Sequence, residues 1–232
     1  MIEPAHNAGH AALMDRVYRR QRHFYDLTRK YYLLGRDRLV RDLKAQPGET
    51  IVEIGCGTAR NLIRIAEAYP GVKLYGLDAS AQMLRTAEES IARAKVPGPI
   101  VLRHGLAEDV TPGFFGLDRP FDHAIFSYSL SMIPDWRGAL TAAAASVRAD
   151  GRVHVVDFGD QRTLWPVARR GLRAWLGLFH VTPRDELLGA LETKGGIENG
   201  YALHVLPGRY AFVLKAAPAA VAALIGPGAR SG

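Results

Sequence analysis

Gly55, Cys56 and Gly57 close an apolar run, Ile51-Val-Glu-Ile, and lead into a helical one from Asn61. Glycines at such a turn let the backbone bend sharply and come close to a ligand. Glu53 sits near the end of the run, where a carboxylate can accept from an ammonium group. Asp78 ends the next apolar run, 21 residues beyond Gly57, a placement from which an acid grips both hydroxyls of a ribose. Position 60 is Arg, where a dinucleotide-binding G-x-G-x-x-G would place its last glycine. The pattern therefore fits a nucleoside without phosphates better than a dinucleotide. Cys56 has no evident base partner and reads as a small residue packed under the loop. No Cys/His cluster has metal-ligand spacing, so no metal is expected.

A second constellation lies upstream. Tyr25, Arg29, Tyr32 and Arg36 recur at four, three and four residues, so on a helix they share one face. Tyr rings stabilise cations and Arg forks bind carboxylates. A substrate carrying both an amine and a carboxylate suits that face. The same pattern also describes a solvated basic helix with its tyrosines packed on a sheet.

These residues need a scaffold. Periodicity predicts helix over 11–45, broken near Gly35, and a turn at 46–49. Strands follow at 50–54, 72–77, 100–104, 121–127 and 152–158. Helices are expected at 61–68, 80–94 (with Ser80 as N-cap) and 136–148, the last followed by a turn at Ala149-Asp150-Gly151. Residues 162–179 and 183–193 read as two further helices, and 201–206 with 210–214 as a closing hairpin. Residues 226–232 read as a disordered tail. Strands separated by helices imply a mainly parallel sheet covered on both faces.

The 232 residues suit one α/β domain with a helical extension. Hydrophobic residues form 48% of the chain, enough to bury a core, and the single cysteine rules out an intramolecular disulfide. No signal peptide is recognised at the N-terminus, and no run reaches the roughly 18–20 apolar residues that span a bilayer. The formal charge is +7, and it is unevenly placed. Residues 15–44 hold ten Lys/Arg against four Asp, and residues 161–184 hold five Arg and no acid. Such segments point to an anionic partner. On 162–179, Leu164, Trp165, Ala168, Leu172, Trp175, Leu176 and Phe179 fall on or near one helical face, with Arg162, Arg169, Arg170 and Arg173 elsewhere. That is the pattern of an interfacial membrane helix, and equally of a helix packed on a sheet.

The motifs E-I-G-C-G-T-A and L-D-A-S-x-x-M-L resemble those of class I S-adenosylmethionine-dependent methyltransferases over about residues 48–160. The resemblance implies a Rossmann-like fold: a mainly parallel seven-stranded sheet with an antiparallel C-terminal hairpin and an N-terminal helical extension. It implies S-adenosylmethionine as cofactor, held by Glu53, Gly55, Cys56, Gly57, Thr58, Asp78, Ala79, Met83, Leu106, Ala107, Glu108 and Ser127. In it Gly55 and Gly57 face the methionine part, Asp78 holds the ribose, and Ala79 and Met83 lie near the adenine. Many relatives carry an acid directly after Gly105; here Leu106 stands there, which leaves the adenine amine to Glu108 or to backbone groups. Tyr128 would line the site beside the transferred methyl.

Tyr25-Asp-Leu-Thr-Arg-Lys-Tyr-Tyr-Leu-Leu-Gly-Arg-Asp37 and Phe179-His-Val-Thr-Pro-Arg184 resemble, more narrowly, the diacylglyceryl-homoserine N-methyltransferases of bacterial betaine-lipid synthesis. That resemblance implies three methyl transfers to one nitrogen. Arg29, Arg36, Tyr128 and Arg184 would then bind substrate, and Tyr25, Tyr32 or His180 would accept or relay the amine proton. Expected partners are a lipid substrate, an anionic membrane surface and an upstream lipid-synthesis enzyme, with the protein in the cytoplasm against the inner membrane. Phosphatidylethanolamine or another small-molecule amine is the alternative acceptor, and an RNA methyltransferase or a non-catalytic donor-binding membrane subunit ranks lower. The implied units are a substrate cap at 1–45, a methyltransferase domain at 46–216 with a helical insertion at about 161–193, and a tail at 217–232.

Overall fold

The computed structural model describes residues 34–226. Seven strands form one sheet: β1 (Thr50–Ile54), β2 (Lys73–Asp78), β3 (Ile100–His104), β4 (Phe121–Ser127), β5 (Val147–Phe158), β6 (Tyr201–Val205) and β7 (Ala211–Ala216). Their order is β3-β2-β1-β4-β5-β7-β6. The first five pair in parallel, and β7 runs antiparallel to both β5 and β6. This is the expected sheet, hairpin included.

Helices cover both faces because the central strands are apolar on both sides. On one face α1 (Arg36–Leu43), α2 (Arg60–Ala68), α3 (Ala81–Ala94) and α5 (Pro166–Gly177) pack on Ile51, Leu74, Ile125 and Val156. On the other, α4 (Trp136–Ser146), α6 (Asp185–Lys194) and α7 (Pro218–Ile225) pack on Val52, Ile54, Phe126 and Val155. Tyr75, Phe115 and Phe121 meet edge-on there, with ring centroids 5.4–5.7 Å apart.

Local signals set several boundaries. Gly35 has φ 86° and sits at the N-cap of α1, at the expected break. The Ser80 hydroxyl accepts from the Met83 amide at 3.3 Å and caps α3. Pro166 occupies the first turn of α5, where its missing N–H costs nothing.

Three stretches differ from expectation. α4 stops at Ser146, because Val147, β-branched and buried, pairs with Phe121 of β4. The register then jumps, and His123 pairs with Arg152. The turn expected at 149–151 is thus an irregularity inside β5. Gly151 fits it because a Cβ there would lie 2.4 Å from the Asp122 carbonyl oxygen. In the segment assigned to a tail, residues 218–225 form α7, which packs on α4 and β5; residues 227–232 lie outside the described chain. Two arginines of α5, Arg169 and Arg173, also turn inward. Arg169 Nε donates to the Asp160 carbonyl at 3.0 Å, and Arg173 bonds Gln161 and Asp185. Leu176 is buried, and Leu172, Trp175 and Phe179 pack beside it, so those four face the sheet.

Candidate cofactor and methyl-transfer site

A cleft opens at the carboxyl ends of β1, β2 and β4, where the strand order reverses. Open α/β sheets bind ligands at that position. It encloses about 690 Å³, open solvent at its mouth included.

The glycine loop forms one wall. Gly55 has φ 73° and Gly57 φ 54°. A Cβ on Gly55 would stand 2.5 Å from the Ser129 Cβ, so this glycine also lets two loops touch. Ala59 takes φ 60°, a left-handed conformation costing roughly 1–2 kcal/mol in a non-glycine residue. Its full burial holds it there.

Asp78 is fixed across the loop. Its Oδ2 accepts from the Gly57 amide at 2.7 Å and its Oδ1 from the Ser80 amide at 2.9 Å. A carboxylate oxygen accepts more than one hydrogen bond, so this anchoring is compatible with holding ribose hydroxyls. Ala79, Met83, Leu106, Ala107 and Glu108 line the same cleft, as the resemblance implies. Sequence reasoning did not single out Leu77, Met132, Ile133 and Pro134, which also line it. The signal for the last three was the apolar stretch ending in a proline just after β4.

Glu53, Cys56, Thr58 and Ser127 are not among the lining residues. Glu53 and Cys56 are buried beneath the loop. Glu53 Oε1 accepts from Asn61 Nδ2 at 2.6 Å, and Asn61 Oδ1 accepts from Arg36 through Nε (3.0 Å) and Nη2 (2.7 Å). The acid expected to meet the cofactor's ammonium group thus forms one end of a chain, Glu53–Asn61–Arg36, that ties α1 to β1 through α2. Asn61 was missed because a polar residue at the head of a helix carries no special signal. Burial, reinforced by Asp78 and Glu53, pushes the Cys56 thiol well up, so it stays protonated and packs as a small residue.

The opposite wall is the loop after β4. Tyr128 lines the cleft, and its hydroxyl donates to the Leu34 carbonyl. Burial, with Asp157 nearby, pushes that phenol up, making it a neutral donor. Behind the loop, Asp157 is fully buried and accepts from the Ser131 amide. Arg184 donates from Nε to the Leu130 carbonyl at 3.0 Å and from Nη2 to the Ile133 carbonyl. It braces the loop rather than lining the cleft. His180 is exposed in the turn after α5 and does not line the cleft either. Tyr25, Arg29 and Tyr32 lie outside the described residues. No grouping among the described residues could hold a metal ion.

The cofactor fits this set: an anchored carboxylate at the end of β2, glycines where side chains would intrude, and an apolar floor beside Met83. Fold and cleft are those that the resemblance to class I S-adenosylmethionine-dependent methyltransferases implies. Residues 52–153 match the family model described as a methyltransferase domain. It is 32% identical over 110 residues to the demethylmenaquinone methyltransferase of Geobacillus kaustophilus, covering 47% of this chain and 45% of that protein. The chain spans about half the length of the curated relatives it matches. Among solved structures it resembles a possible histamine N-methyltransferase from Thermotoga maritima (TM-score 0.61, 17% identity, covering 88% of this chain and 99% of that one). It also resembles phosphoethanolamine N-methyltransferase 2 of Haemonchus contortus in complex with S-adenosyl-L-methionine (TM-score 0.57, 14% identity, 75% and 39%). At these identities the likeness is one of fold.

Proposed function

We propose that this protein transfers methyl groups from S-adenosylmethionine to the homoserine amine of diacylglyceryl-homoserine, building a trimethylated betaine head group. The observation that carries the transfer itself is Asp78, held by the Gly57 and Ser80 amides at the mouth of an apolar cleft. When bound, the cofactor supplies a methyl on a sulfonium with a good leaving group. The chain's task is then orientation. Asp78 would hold the ribose, Glu108 or nearby backbone groups the adenine amine, and Gly55 and Gly57 the methionine part. Tyr128 and the loop behind it would place the acceptor nitrogen in line.

The choice of acceptor rests on the sequence motifs around Tyr25–Asp37 and Phe179–Arg184. An amine and a carboxylate on one head group match the Tyr/Arg pattern of residues 25–36. An upstream lipid-synthesis enzyme would supply this acceptor at the inner face of the membrane. A second reading takes its support from the curated relatives, named for demethylmenaquinone. Both acceptors carry long apolar chains.

The test is mass spectrometry of the purified protein with S-adenosylmethionine and, in separate mixed micelles, diacylglyceryl-homoserine, phosphatidylethanolamine and demethylmenaquinone. Mass gains of one, two and three methyls on the homoserine lipid alone support the proposal. Methylation confined to either of the others replaces it. Donor binding with no transfer to any of the three discards the lipid acceptor.

A further inference from the structure

The outward side of α5 is apolar apart from Arg170, and Trp165, which the helical period would place with buried Leu176, is exposed at the N-cap outside the helix. Trp165 at its N-cap, Val167 in its first turn and Leu178 at its C-cap are 83%, 77% and 69% exposed, the three most exposed large hydrophobic side chains among the described residues. At 100° per residue, Val167, Arg170, Gly171, Ala174 and Leu178 share the side opposite buried Leu176. A surface helix normally places its charges outward. Here Arg169 and Arg173 fold back onto Asp160, Gln161 and Asp185, and Arg162 pairs with Asp160 and Glu192. The nearby acids are consumed on the inner side. Arg170 is the charge left on the outer face, and it has no acidic partner among the described residues.

We infer that this face docks on an anionic lipid bilayer, with Trp165, Val167 and Leu178 entering the headgroup boundary and Arg170 at the phosphates. Tryptophan is favoured at that depth because its ring has an apolar body and a polar N–H. Cations near such a surface are attracted by its negative potential, and Arg170 is the cation this face offers. A second copy of the chain is the weaker occupant, since two such faces would bring Arg170 against Arg170. The face also connects to the cleft. Beyond Leu178 the chain runs to Thr182, whose amide donates to the Ser131 carbonyl at 2.8 Å, and to Arg184, which bonds the Leu130 and Ile133 carbonyls. A bilayer on α5 therefore lies one short segment away from the loop that walls the cleft. The docking inference draws on the lipid-acceptor reading but is tested apart from it.

The experiment is co-sedimentation of the full chain with vesicles of phosphatidylcholine, with and without phosphatidylglycerol. Emission of Trp165 is followed by difference against Trp165→Phe. The expected result is binding that needs phosphatidylglycerol, a blue shift from Trp165, and at least about a tenfold loss of partitioning in Trp165→Glu/Leu178→Glu. Because both side chains are exposed, that variant should keep the wild-type affinity for S-adenosylmethionine, which controls for folding. Wild-type binding to vesicles by the double variant overturns the inference. So does a Trp165 as shielded from acrylamide as Trp136 in vesicle-free protein, or a dimer that dissociates on the double substitution. Vesicle binding without methylation of any lipid leaves the docking face standing and removes the acceptor; methylation in micelles without vesicle binding does the reverse.

Discussion

The Asp157 carboxylate accepts from the Ser131 amide at 2.9 Å through Oδ2 and from the Phe158 amide at 2.7 Å through Oδ1. It thereby pins the loop that walls the cleft to the end of β5. Burial pushes Asp157 up to about 6, although these amides, the Ser131 hydroxyl and the Arg184 charge pull the other way. A carboxyl whose folded pKa lies above its unfolded value binds its proton more tightly in the folded state. Its protonated form favours the fold, and that advantage is lost as pH rises from about 4 to about 6. Asp157→Asn, which is neutral throughout and keeps one acceptor, should flatten the change in stability across that window. Two pKa units correspond to about 3 kcal/mol. Urea unfolding of both proteins at pH 4, 5, 6 and 7 measures it; parallel curves would mean that Asp157 is not the titrating group.

His154 works with the opposite sign. It is fully buried, and Nε2 lies 3.2 Å from His123 Nδ1. Burial first, then His123 and Lys215, hold its pKa well below the usual histidine range. The unfolded chain therefore binds a proton there more readily, and stability falls as pH drops below about 6.5. His154→Gln should lessen that acid loss while Asp157→Asn deepens it. The two single variants, unfolded by urea at pH 5 and at pH 7, should change in opposite directions.

Asp78 meets the cofactor site through two backbone amides, so its removal has two consequences. Asp78→Ala deprives a ligand of a charged acceptor and leaves the Gly57 amide without its partner. A hydrogen bond to a charged group is worth about 1.5–3 kcal/mol, so affinity for S-adenosylmethionine and for S-adenosylhomocysteine should fall about 10- to 100-fold. Isothermal titration reads both ligands; unchanged affinity would remove Asp78 from the site.

Arg184 shows how far the sequence carried the site. Its place in Phe179-His-Val-Thr-Pro-Arg184 suggested a substrate contact, yet its guanidinium spans two carbonyls of the loop after β4. Residue type announced a fork, but not what the fork would hold. The alternation of strands and helices, the glycine loop and the place of Asp78 at the end of β2 were legible because period, turn chemistry and spacing are local properties. The partner of Glu53 was not legible for the converse reason: strand alternation puts Glu53 on the same face as Ile51, under α2, and Asn61, which donates to its Oε1, comes from the next element. The end of α4 was misjudged because alanine runs favour helix, whereas the pairing of Val147 with Phe121 is tertiary.

If Arg184 braces the loop, a point charge should not replace it. Arg184→Lys keeps the charge but cannot bridge both the Leu130 and the Ile133 carbonyl. Loosening a wall that positions reactants costs rate more than binding, and misplacement of about 1 Å can cost roughly 100-fold. The expected outcome is a fall in kcat of roughly tenfold or more with a nearly unchanged KM for the donor. A rise in acceptor KM at constant kcat would instead return Arg184 to direct substrate contact.

The contact between Gly55 and Ser129 separates packing from chemistry in the glycine loop. Ser129 Oγ donates to the Ile54 carbonyl at 2.8 Å, which draws the two loops together. A Cβ on Gly55 would then lie 2.5 Å from the Ser129 Cβ, at a backbone φ of 73° that L-residues rarely adopt. Gly55→Ala therefore carries two penalties, one steric and one conformational. Overpacking costs typically 1–3 kcal/mol and the left-handed conformation about 1–2 kcal/mol. Ser129→Gly removes the facing Cβ and relieves only the first. The double variant should thus recover part of the stability lost in Gly55→Ala, with a favourable coupling of about 1 kcal/mol or more in the mutant cycle. Thermal unfolding of the four proteins measures that coupling. Strict additivity would mean that the two loops move apart, and that Gly55 is needed for its backbone conformation alone.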